Sequence, residues 1–292
     1  MLMTVAASAA SLAVIAVPAH AEPSLQVPTQ ADSSCGATIT KPDASAWECT
    51  FAEEFDGTSL DADKWIVQTT KASNFKGGGD CVVDSPDNVS VADGVLRLTT
   101  RKEAEPFVCE SPKEDYTTQY TSGTVLSYGT FSQTYGRFEV RAKFPDVKVP
   151  GLQGALWLWP DDPVKYGPWP TSGEIDFAEW YSQYPGRVIP FIHYLTADPY
   201  DRSVTNNYCL IDASKFHDYT VVWTQEKITI SFDGRTCLDH AIDPADPLEA
   251  PQPFDHPFMV ALTQMLGVGS NAVTDATPLP ATTEIDHVRV WK

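Results

Sequence analysis

From Trp47 onward the chain is a series of short alternating runs separated by turn residues, with no helical pattern between them. VSVADGVLRLTT (Val89–Thr100) predicts two strands around an Asp93-Gly94 turn, a dipeptide that tolerates the positive φ of a tight hairpin. GRFEVRAKF (Gly136–Phe144) alternates strictly and puts Phe138, Val140, Ala142 and Phe144 on one face. Tyr219–Ile242 predicts three more strands, broken near Gln225-Glu226 and at Asp233-Gly234, and TEIDHVRVWK closes the chain as another. The pattern constrains the fold to an all-β sandwich or barrel, because a parallel sheet needs crossover helices that this sequence lacks. Neither an internal repeat, a phosphate-cradling glycine loop nor a coiled-coil heptad is present.

Charge narrows the partners. The balance of 20 basic and 39 acidic residues gives 20 − 39 = −19, which repels phosphate backbones and anionic lipids and disfavours nucleic acid and acidic membrane. A neutral ligand meets no such repulsion, although excess acid also serves simply to keep an exported protein soluble. Export is expected: Met1–Ala21 is an apolar, small-residue run ending in the A-x-A cleavage signature Ala19-His20-Ala21, though without a basic leading region. No later segment stays apolar long enough to span a bilayer. Residues 22–46, rich in Pro, Ser and Ala and lacking periodicity, are expected as a flexible segment ahead of one folded domain, 47–292. Six cysteines without a C-x-x-C pair argue for disulfides over zinc in an exported chain. Of the fifteen pairings open to six cysteines, nearest-neighbour pairing (Cys35–Cys49, Cys81–Cys109, Cys209–Cys237) is expected because each closes a short local loop.

One stretch breaks the alternation. SGEIDFAEWYSQ (Ser172–Gln183) sets Glu174, Asp176 and Glu179 among Ile175, Phe177 and Trp180, the residues of a buried strand. In a regular strand Glu174 and Asp176 share a face and Glu179 falls on the other. One extra residue, a β-bulge near Phe177 or Ala178, reverses the parity and brings all three acids to one side. Two glutamates effectively four strand positions apart have Cα atoms about 13 Å apart. Side chains leaning toward each other leave carboxyls on the order of 5 Å apart, the separation of nucleophile and general acid/base in a retaining glycosidase. Asp176 between them is placed to orient the nucleophile. Crowding raises at least one pKa, so that a protonated Glu179 can stand beside an ionised Glu174. Two plainer readings compete: acidic clusters on strands can be ordinary solvent faces, and three carboxylates suit calcium or magnesium. No His or Asn within the segment completes a metal shell. Trp157, Trp159, Trp169, Trp180 and Tyr181 lie close in sequence and offer faces on which sugar rings stack.

GEIDFAEW (Gly173–Trp180) resembles the bulged E-x-D-x-x-E signature of glycoside hydrolase family 16, in the form typical of its laminarinase-like, endo-1,3-β-glucanase branch. FAEEFDGTSLDADKW, NVSVADGVLRLTTRK, YTSGTVLSYGTFSQTYGRFEVRAKFP, FHDYTVVWTQEKITISFDG and IDHVRVW follow the family's order, so the similarity spans about 47–292. The resemblance implies a β-jelly-roll sandwich of two antiparallel sheets with a concave sugar-binding cleft. It implies a secreted, monomeric endo-β-glycosidase that hydrolyses a β-linked polysaccharide with retention and without a catalytic cofactor, its substrate a 1,3-β- or mixed 1,3-1,4-β-glucan. By position Glu174 is the nucleophile, Glu179 the acid/base and Asp176 the assisting acid, with Trp157, Trp180, His193 and Gln264 implied as substrate contacts. One structural Ca2+ on the convex face is also implied, with Asp286 and Glu53 or Glu54 as ligands. Gly151–Trp157 reads GLQGALW where the family commonly has G-L-W-P-A-F-W, and LTQMLGVGSN departs from L-N-L-A-V-G-G. These changes spare the acids and alter the cleft walls. The same fold also carries non-hydrolytic carbohydrate-binding proteins, which tend to have lost an acid, and transglycosylases, which keep all three.

Overall fold

Asp93 and Gly94 take positive φ (57° and 74°) and close the first expected hairpin in the computed structural model, which describes residues 33–292. The expected export signal at 1–21 and the first part of the expected flexible segment lie outside the described residues. In chain order the strands are β1 (Cys49–Glu53), β2 (Ile66–Val67), β3 (Cys81–Val82), β4 (Val89–Ala92), β5 (Val95–Cys109), β6 (Tyr116–Leu126) and β7 (Gly136–Lys143). They continue as β8 (Leu152–Pro160), β9 (Glu174–Tyr181), β10 (Ile189–His193), β11 (His217–Trp223), β12 (Lys227–Phe232), β13 (Arg235–Ala241), β14 (Phe258–Leu266) and β15 (Ala281–Trp291). A single helical turn, α1 (Thr70–Ser73), is capped by Thr69, whose hydroxyl accepts from the Ala72 N–H, and ends at Asn74 in the left-handed region.

One layer runs β10-β9-β8-β14-β6 and the other β5-β15-β7-β11-β12-β13. Because β5 and β6 also pair with each other, one continuous ladder folds over to make the expected jelly-roll sandwich. The length of β5 allows this: its first part pairs with β15 at Leu96–Thr100, and its later part pairs with β6 from Arg101 to Cys109. Pairing is antiparallel apart from the short β3–β6 contact.

The inner faces meet through aromatics. Phe144, just past the strictly alternating β7, stacks on Trp180 of β9 with centroids 5.7 Å apart, and Trp223 of β11 meets Phe258 of β14 edge-on at 5.1 Å. Each such ring taken from water contributes roughly 2–3 kcal/mol, so this layer of rings does much to hold the two sheets together. All three expected disulfides form. The folded unit begins upstream of Trp47, the boundary expected from composition: Cys35 is buried and bonded to Cys49, Thr40 pairs with Ala46, and the Trp47 N–H donates to the Ile39 carbonyl. A stretch without periodicity can still be fixed when a cross-link and a few backbone bonds replace the missing apolar face.

Candidate active site

The bulge falls at Phe177. Across β8, Leu156 opposes Ala178 and Trp157 opposes Asp176; across β10, Ile189 opposes Glu179 and Phe191 opposes Asp176. Phe177 thus has no partner of its own in the β8 ladder, and both Phe177 and Ala178 are fully buried in the core. Ile175 and Trp180 join them on the inner side, which leaves Glu174, Asp176, Glu179 and Tyr181 on the other.

Each acid has its own holders. The Trp169 indole N–H donates to Glu174 Oε2 at 2.6 Å, from the loop that joins β8 to β9. His193, directly opposite Glu174 on β10, brings Nε2 to 3.0 Å from Asp176 Oδ2, with its ring stacked on Phe191 at 4.1 Å. Glu179 Oε1 accepts from the Tyr181 hydroxyl at 2.6 Å and from the Gln153 amide at 3.1 Å. Beside Glu174 opens a cleft of about 520 Å³ walled by Trp157, Trp159, Trp169 and Phe75. The Trp157 N–H donates to Thr263 Oγ1 at 3.0 Å, and its ring is stacked by Phe75 at 6.0 Å. Phe75 reaches it from the residue after Asn74, where α1 ends and the chain turns back.

Burial pushes all three carboxyls up, and the charge of a neighbouring acid adds to it at Glu174 and Asp176. Glu174 is raised to about 8, first by burial and then by the charge of Asp176, against the pull of His193 and the Trp169 N–H. Asp176 is raised well above the carboxylate range by burial and the charge of Glu179. Burial also raises Glu179, opposed by the Tyr181 hydroxyl, His193 and the Gln153 amide. His193 is lowered, chiefly by burial, and is neutral near neutral pH. The trio therefore holds protons where isolated carboxyls would hold none. A carboxyl at about 8 is mostly protonated at neutral pH, whereas attack on carbon needs a carboxylate. After burial, the charge of Asp176 opposes ionisation of Glu174 most, so whatever reduces that charge eases the formation of the Glu174 carboxylate.

Two expected substrate contacts are corrected. Trp180 is fully buried against Phe144, because restoring parity after the bulge puts residues 179 and 181 outside and residue 180 inside. Gln264 is also fully buried: its Oε1 accepts from Thr283 at 2.6 Å and its amide donates to the Met265 carbonyl at 3.3 Å. Thr263, its neighbour on β14, is the residue that faces the cleft side under Trp157. Trp157 and His193 do lie with the acids. Trp169 and Tyr181, expected only as stacking faces near the acids, donate hydrogen bonds to them instead, and Gln153 and Phe75 join the site without an expected role of their own. For Tyr181 the signal was its parity with Glu179, two residues on.

No His lies within the acidic segment, yet the fold brings one to it. Glu174, Asp176 and His193 present ligand atoms within 4.8 Å of one another, the one such group among the described residues. Two of these atoms, His193 Nε2 and Asp176 Oδ2, stand 3.0 Å apart and face each other directly. The calcium ligands implied on the convex face do not fit a metal. Arg289 grips Glu54 with two bonds (2.7 and 2.8 Å), Arg141 lies 3.4 Å from Asp286, and Lys64 lies 3.4 Å from Glu53. Each acid already faces a cation of the chain itself.

Comparison with known proteins agrees with this geometry. The profile of Glycosyl hydrolases family 16 matches residues 80–278. Glucan endo-1,3-beta-glucosidase A1 of Niallia circulans is 33% identical over 290 residues, covering 92% of this chain and 41% of that protein. Endo-1,3-1,4-beta-glycanase EglC of Rhizobium meliloti is also 33% identical, over 71% of this chain and 40% of that protein. The chain thus spans less than half the length of these curated relatives. Among solved structures, a laminarinase from a Flavobacterium species superposes with a TM-score of 0.67 at 26% identity, covering 84% of this chain and 100% of that one. With the bulged acidic strand, the two-layer ladder and a family match over most of the chain all in accord, the chain belongs to glycosyl hydrolases family 16.

Proposed function

We propose that the chain is an exported, monomeric endo-β-glucanase that cleaves 1,3-β- or mixed 1,3-1,4-β-glucan by double displacement, retaining the anomeric configuration and using no cofactor. The observation that carries this reading is the bulge at Phe177, which puts Glu174 and Glu179 on one side of β9 with the Asp176–His193 pair between them. The names of the relatives favour a β-glucan over a galactan, and a net charge of −19 suits an uncharged polymer. Three disulfides favour action outside the reducing cytosol.

In the first step the Glu179 carboxyl gives its proton to the glycosidic oxygen while the Glu174 carboxylate attacks C1. The C1–O bond breaks, the leaving sugar departs with the proton, and an ester joins C1 to Glu174. Glu179, now ionised, takes a proton from water as that water attacks C1 and frees Glu174. Asp176, next to the nucleophile and 3.0 Å from His193 Nε2, governs how readily Glu174 ionises. Trp157 offers the wall against which the sugar seats.

The direct test is a panel of laminarin, lichenan and agarose assayed for new reducing ends, with Glu174→Gln and Glu179→Gln beside the native chain. Hydrolysis of the two glucans by the native chain, and at least about a thousandfold less by either variant, is expected. Near-native turnover by either variant overturns the assignment. Binding without new reducing ends would mark a carbohydrate-binding protein, and products longer than the substrate a transglycosylase.

A further inference from the structure

The register of β8 against β9 sets Ala155 opposite Glu179 and Gln153 opposite Tyr181. Tyr181 follows Glu179 by two residues and so shares its face, while the methyl group of Ala155 leaves space beside the carboxyl. The result is a closed triangle. The Tyr181 hydroxyl and the Gln153 amide both donate to Glu179 Oε1 (2.6 and 3.1 Å), and the same amide lies 3.4 Å from the Tyr181 oxygen. Both bonds fall on one oxygen of the carboxyl.

We infer that Tyr181 and Gln153 are positioning residues that clamp Glu179 Oε1, so that Oε2 is the oxygen that delivers the proton to the leaving group and later takes one from water. The inference rests on the reading of Glu179 as acid/base. Gln153 stands where the family commonly has a tryptophan, so the amide donor is a feature of this chain. The clamp does two things. It fixes the side-chain torsions of Glu179, so proton delivery does not wait for a rotamer. It also stabilises the ionised carboxylate, which offsets part of the burial that would otherwise make Glu179 too weak an acid to release its proton.

The test uses Tyr181→Phe and Gln153→Met in the full chain, with kcat/KM measured against pH on a soluble mixed-linkage glucan. Each variant loses one donor to the carboxylate, so the high-pH limb is expected to move up by about half to one unit, and further in the double variant. At the optimum kcat is expected to fall about three- to tenfold with KM little changed. An oligoglucoside with an aryl leaving group that needs no proton should be cleaved by the variants about as fast as by the native chain in the bond-breaking step. Gln153 is half-buried on the sheet surface, so its replacement leaves the fold standing if Tyr181→Phe does not. A high-pH limb that stays in place in the folded variants, or an equal loss on the aryl substrate, overturns the clamp. Failure of the native chain to release sugar from any glucan is a different result and overturns the acid/base reading beneath it.

Discussion

Strands β7 and β9 lie in opposite layers and carry similar side chains to opposite ends. In β7 the alternation is unbroken, and every charge on its outer side has a counterion: Glu139 meets Arg137 and His287, Arg141 meets Asp218 at 2.9 Å, and Lys143 meets Glu284 at 3.2 Å. Burial pushes Glu139 up, but His287 and Arg137 outweigh it and hold the carboxyl below its ordinary value. In β9 one bulge interrupts the alternation, and three acids gather with no Lys or Arg bonded to any of them among the described residues. Their carboxyls move the other way, upward. A half-buried acid with a cation beside it is scaffold. Half-buried acids grouped without one are held in a state the fold would not choose for its own sake.

The contrast can be broken most sharply at the bulge itself. Inserting one alanine between Ala178 and Glu179 should put residues 174 and 179 on opposite faces while the bulge persists, and set them two positions further apart if it straightens. We expect no measurable glucanase activity and little soluble protein, whereas deleting a residue from the Asp233-Gly234 turn should spare activity in whatever folds. Next in size, Trp180→Ala should lower stability by about 3–5 kcal/mol in denaturant titrations, because it empties a filled core site. Trp157→Ala, on the cleft side, should raise KM severalfold with a much smaller loss of stability.

A finer test uses pH. The Glu174 pKa is higher folded than unfolded, so its contribution to stability is present at low pH and is lost as pH rises through about 8. Glu174→Gln should therefore melt about 2–5 °C above the native chain at pH 9 and show no gain at pH 4. Glu139 has the opposite sign: its contribution is present near neutral pH and is lost as pH falls through its lowered folded value. Glu139→Gln should accordingly be less stable than the native chain at pH 7 and equal to it in strong acid. The smallest effect expected is that of EDTA. Chelation should change neither rate nor melting temperature, since Arg289, Arg141 and Lys64 already face the acids that a calcium ion would need.

The sequence carried the frame and the acids because both are local. Alternation at Gly136–Lys143, the Asp93-Gly94 and Asp233-Gly234 turns and the odd spacing of Glu174, Asp176 and Glu179 each follow from a rule that spans a few residues. Trp180 faces the core and not the cleft by the same rule: once the bulge is accepted, position 180 must point inward. Gln264 was not decidable locally, since nothing in LTQMLGVG says which face of β14 meets Thr283. The cleft walls were hidden for a like reason. Phe75 and Trp169 arrive from irregular loops, and only the closed sandwich brings them to Trp157 and Glu174.

The stacking of Phe75 on Trp157 has a consequence for any glycan that uses the indole as its seat. Part of that face is shielded before a guest arrives, since a benzyl ring lies beside it with its centre 6.0 Å away. Entry there is then partly an exchange of one flat partner for another, and less water is released by it. Affinity at this point should owe less to desolvation than to how readily the incumbent swings aside, which makes residue 75 a selector of guests more than a source of grip.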